Sequence, residues 1–170
     1  MEKDTRRTVL ELKVCVEQEI SLLESLLEQM QFEREALLEF KPDQLIELNK
    51  RKELLILQLN YLEGGRLRLS KRLARGLGIS EKDVTLLKVG ESIGQALGED
   101  LKHLHSTFVA LVESIRELNS LNRDLVEFSI RSVKGSVAFL KRRFFNSETY
   151  SASGVVNDEI EGLSRLSSRV

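Results

Sequence analysis

Apolar residues return every three, four or seven positions along most of this chain, and a single proline interrupts them. In the first stretch, from about Asp4 to Phe40, Val9, Leu12, Val16, Leu23, Leu27, Met30 and Leu37 keep these gaps. A strand sends successive side chains to opposite faces, so its apolar period is two. A helix turns once in about 3.6 residues and lines up gaps of three and four on one face. The stretch therefore predicts a helix of roughly 55 Å. Composition agrees: Leu supplies 31 of the 170 residues, Trp is absent and aromatic residues make up 5%. Leu loses little side-chain freedom in a helix, whereas strands favour β-branched and aromatic residues.

The break falls at Lys41-Pro42-Asp43. Proline cannot continue a helix but starts one well, and an acid in the first turn suits the helix dipole. A second helix over about 43–75 carries Leu45, Leu48, Leu55, Leu59, Leu62, Leu69 and Leu73, with Gly64-Gly65 as a place to kink or end it. A connection this short makes the two helices antiparallel neighbours. Gly76-Leu77-Gly78 stops the pattern. Ser80 before Glu81-Lys82-Asp83 resembles a capping box, with Ile79 and Val84 placed as a hydrophobic staple. That predicts a short helix over 81–89, faltering at Gly90.

The last helix is predicted over 91–145. Leu104, Phe108, Leu111, Ile115 and Leu118 alternate gaps of four and three, the seam of coiled-coil packing. Asn122 takes the next seam position, either as a polar layer that fixes register or as a hydrogen-bonding contact for a partner. The stripe then steps by four twice and runs on through Val126, Ile130, Val133, Val137, Leu140 and Phe144. Such a stutter rotates the apolar face. A second line, Leu121, Leu125, Phe128 and Phe139, keeps nearly the old direction. The end of this helix is therefore apolar over a wider arc than its middle. The expected fold is all-α: an elongated antiparallel bundle of three to four long helices over residues 1–146. Residues 147–170, rich in Ser and with a weak helical signal at Glu159 to Leu166, form a flexible tail.

Net charge is −1, so overall charge recruits neither nucleic acid nor an anionic membrane. The longest apolar run, Phe108 to Val112, is far short of the ~20 residues of a membrane span. The charged N-terminus has no apolar run of the signal-peptide kind. These features predict a cytoplasmic protein without membrane insertion. Two local basic patches stand out: residues 64–78 hold Arg66, Arg68, Lys71, Arg72 and Arg75 with no acid, and residues 128–150 are net +4. Each is either a solvated helix end or a docking patch for an acidic partner. Nucleic acid would want more charge together with stacking aromatics.

Catalytic equipment is missing. His103 and His105, two apart, point about 200° apart on a helix and cannot share a metal, though Glu99 and Asp100 could each pair with His103. A di-iron bundle would need Glu-x-x-His twice. Cys15 lies among Leu12, Val14 and Val16, which predicts a buried, inert thiol. No Walker-type glycine loop or nucleophile elbow is present. Gly90, Gly94 and Gly98 mark a close helix contact or a hinge. No cofactor and no enzymatic activity are expected.

Three segments resemble the FlgN family of bacterial flagellar export chaperones. Leu22 to Leu62 is similar to the family's first helical hairpin, with Glu-x-x-Ala-Leu, a short turn before Asp, then Leu-x-x-Leu and Lys-x-x-Leu-Leu. Leu118 to Leu140 matches with Leu118-Asn119 and Asn122 in place. Tyr150 to Gly154 is similar to the family's Tyr-Asp-x-x-Gly tail, with Ser151 where Asp is common. The resemblance implies a chaperone for the hook–filament junction proteins FlgK and FlgL, delivering them to the flagellar type III export apparatus. It also implies that the C-terminal helical region binds the client.

The expected client face is Val126, Ile130, Val133, Val137, Leu140 and Phe144. Asn119, Asn122, Arg131, Lys134 and Lys141 flank it, and Tyr150 is a tail contact to the export gate by family analogy. A client helix would pack there as a helix in a groove. The competing expectation is that these residues are ordinary core. A structural or adaptor coiled coil, oligomerising or regulating an export ATPase complex without a secreted client, is the alternative function.

Overall fold

The computed structural model describes residues 2–80, 84–93 and 95–145. Four helices follow in order: α1 (Glu2–Leu38), α2 (Pro42–Leu77), α3 (Leu86–Glu91) and α4 (Gln95–Phe145). No strand occurs among the described residues. The bundle is all-α, as its periodicity implies. The chain divides into two units, residues 1–127 and 128–170, and α4 belongs to the first through Glu127 and to the second from Phe128.

The turns are written in particular residues. Pro42 occupies the first turn of α2, where its missing N–H costs no helical hydrogen bond. Before it, the Lys41 N–H reaches back to the Ala36 carbonyl at 2.9 Å, with Phe40 in the left-handed region at φ 55°. Glycine usually takes that place because it lacks the Cβ that crowds the carbonyl. At the far end, Gly78 takes it (φ 70°) and donates to the Ala74 carbonyl. The Gly64-Gly65 pair does not break α2, which runs on to Leu77.

α3 begins later than the capping-box pattern suggested. Its N-cap is Thr85, whose hydroxyl accepts the Lys88 N–H at 3.2 Å. Glu81-Lys82-Asp83 of the suggested box, and Gly94, lie outside the described residues.

Within the first unit, cross-helix pairs fix the packing. Asp4 meets Arg72, Glu19 meets Arg66 and Glu33 meets Lys52, so α1 and α2 run antiparallel. Lys13 meets Asp100, while Asn122 meets Met30 and Glu33, at separations of 87, 92 and 89 residues. A nearly constant separation means that α4 runs parallel to α1 there, the third leg of an up-down-up arrangement. At that offset α1 ends, at Leu38, level with the last residues of the unit. The core is Val9, Leu12, Val16 and Ile20 of α1 with Leu73, Val89 and Leu101, one from each other helix. Leu104, Phe108 and Leu111 of the predicted seam pack against it.

Gly90 and Gly98 are not one helical repeat: they face each other from α3 and α4. A Cβ on Gly90 would lie 3.0 Å from the Gly98 carbonyl oxygen, and one on Gly98 would run into the Gly90 carbonyl. The close-contact reading describes this pair. Backbone, unlike a flexible side chain, cannot swing away. Gly98→Ala is therefore expected to destabilise the fold by about 1–3 kcal/mol, read as a fall in thermal midpoint by circular dichroism.

Candidate functional site

The end of α4 carries more apolar surface than the other described residues cover. Ile130, Val133, Val137, Leu140 and Phe144 are between 46% and 64% exposed, and Val126, in the first unit, is 38% exposed. At about 100° per residue, the five residues of the second unit lie within an arc of roughly 80°. Lys134 and Lys141 line one edge of this arc, and Ser129 and Ser136 the other. Gly135 has open space where a Cβ would stand. Phe128 and Phe139, 61% and 60% exposed, fall on nearly the opposite side. A soluble helix with uncovered apolar lines usually marks a place where another surface docks.

The polar residues expected at this face separate. Asn119, Arg131, Lys134 and Lys141 are exposed. Asn122 is 3% exposed, and its Nδ2 donates to the Met30 carbonyl at 2.9 Å and to Glu33 Oε2 at 3.0 Å. Lys52 Nζ approaches the other Glu33 oxygen at 2.5 Å. These three side chains join α1, α2 and α4, which is the polar-layer role of a seam asparagine. Tyr150 lies outside the described residues.

Elsewhere in the first unit many charged residues are engaged in ion pairs. Of the first basic patch, Arg66 pairs with Glu19 and Glu63 and lies 6.0 Å from the Phe108 ring centre, and Arg72 pairs with Asp4 and Glu11. Asp100 meets Lys13 and Glu99 meets Lys102, rather than the His103 the sequence had offered them. Burial pushes the Cys15 thiol up, and its Sγ lies 3.5 Å from the Leu62 carbonyl oxygen, which suits an inert core thiol. Among the described residues no cluster of His, Cys, Asp or Glu could hold a metal, and no helix is long and apolar enough to cross a membrane.

Glu19 borders a half-open cavity of about 290 Å³ lined also by Leu12, Val16, Arg66 and Phe108. Burial raises its carboxyl above the ordinary 4.5, against the pull of Arg66. The folded state thus holds the proton more tightly than the unfolded chain. That contribution is full below pH 4.5 and is lost as pH rises through the folded value. Wild type is expected to gain stability relative to Glu19→Gln as pH falls toward 4.5, measured by urea unfolding at several pH values.

Sequence reasoning missed a second apolar line. Leu54, Leu57 and Tyr61 of α2 are exposed, and Leu57 and Tyr61 line an open groove with Gln18, Ser21 and Leu22 of α1. Their gaps of three and four were visible, but α2 has leucines on several lines, and periodicity alone does not say which faces inward.

The described residues thus define an all-α bundle with many of its charged side chains in ion pairs and an exposed apolar stripe on its last helix. The profile of the FlgN protein family matches residues 1–158, and the chain belongs to that family. Membership implies the role of a flagellar export chaperone, not of an enzyme. No curated protein and no solved structure matches the chain significantly.

Proposed function

We propose that the chain binds the hook–filament junction proteins FlgK and FlgL through the α4 stripe and delivers them to the flagellar type III export apparatus. The exposure of Ile130, Val133, Val137, Leu140 and Phe144 on one face of one helix supports this reading. A client amphipathic helix would lay its apolar face on that stripe. Ser129 and Ser136 at the edge let a partner backbone come close. Lys134 and Lys141, with Arg131 further round, would meet client carboxylates. The complex keeps apolar client surface from aggregating until export.

Light scattering tests this. Adding FlgK or FlgL is expected to raise the mass of the chaperone peak by that of a bound client. A stable multimer of unchanged mass would instead favour the coiled-coil structural alternative.

A further inference from the structure

We propose that residues 155–166 of this same chain cover the α4 stripe when no other helix occupies it, running antiparallel to α4. The covering stands on pattern, charge and reach; that it competes with a client rests on the client-binding reading above.

The segment carries Val156, Ile160, Leu163 and Leu166 at gaps of four, three and three, an apolar line of helical period. Twelve residues are too few to hold a helix in water unaided, so such a segment orders only against an apolar surface. The charges complement. Residues 128–147 contain Arg131, Lys134, Lys141, Arg142 and Arg143 and no acid, whereas 155–166 contain Asp158, Glu159 and Glu161 with one base, Arg165. In an antiparallel arrangement the acids near the start of the segment fall beside the basic cluster at the end of α4.

The lengths also agree. Residues 146–154 can span up to roughly 30 Å when extended. Ile130 to Phe144 covers roughly 21 Å of helix, and a twelve-residue helix roughly 18 Å.

Methyl NMR on the full chain without client tests the covering. Ile160→Asp with Leu163→Asp is expected to shift the methyl signals of Ile130, Val133 and Val137. Arg143→Glu should weaken the covering in the same way, and adding Glu159→Arg should restore it. Unchanged stripe methyls in the Ile160/Leu163 variant would overturn the proposal. So would a doubled mass, which would make a second copy the cover.

With FlgK as the probe, the released variant is expected to bind roughly tenfold more tightly, because less of the free protein is closed. Shifted methyls with unchanged FlgK affinity would uphold the covering and overturn the competition, placing the client elsewhere.

Discussion

Val133→Asp combined with Val137→Asp is expected to abolish client binding while the far-ultraviolet circular dichroism stays helical. Val133 and Val137 are 59% and 46% exposed, so their loss opens no cavity. Val and Asp have similar intrinsic helix propensities, so α4 loses little locally. In a complex the effect is large. Each valine forfeits the ~1.5–3 kcal/mol of its burial, and each carboxylate must leave water for an apolar surface. Even ~4 kcal/mol lost in total weakens binding about a thousandfold. Titration calorimetry with FlgK or FlgL reads the loss. A double variant that unfolds would show the two valines to be core, and unchanged affinity would move the client elsewhere.

Asn122→Asp carries the largest expected effect on stability. The two side chains have the same shape, so packing is unchanged. The substitution removes both hydrogen bonds from Nδ2 and sets a second carboxylate beside Glu33, in a site 3% exposed. Lys52 is the one cation that pairs with Glu33 there among the described residues, and it cannot neutralise two acids. A loss of about 3–5 kcal/mol is expected at neutral pH, the range seen when a buried charge lacks a partner. The crowded pair binds protons more tightly folded than unfolded, so the loss should shrink as pH falls. Asn122→Leu, which removes the donor without adding charge, should cost only about 1–2 kcal/mol. Urea unfolding at pH 7 and pH 5 separates the cases.

Much of this architecture is legible where one residue type dictates backbone conformation. Pro42 and Gly78 mark helix ends because one lacks an N–H and the other lacks a Cβ. Asn122 is legible because a polar residue at a seam position has to find partners inside. Gly64-Gly65 misleads: glycine weakens a helix by only ~1 kcal/mol, and the ion pairs of Arg66 with Glu19 and Arg72 with Asp4 hold α2 to α1 around it.

The start of α3 was misplaced because Ser80 and Thr85 both offer a capping hydroxyl, and nothing local ranks them. Which apolar lines stay uncovered is a tertiary fact. The sequence shows that the end of α4 is apolar over a wide arc, but the exposure of Leu54 and Leu57 depends on where α4 lies. The Lys13–Asp100 pair, 87 residues apart, has no local signal at all.

The parallel offset between α1 and α4 has a consequence for synthesis. α1 and α2 can close on each other as soon as both have left the ribosome. The α1 face that α4 covers must wait, because Asn122 is translated 92 residues after Met30. Until then the nascent hairpin leaves that face of α1 open, so a chaperone is itself open to wrong associations while it is being made.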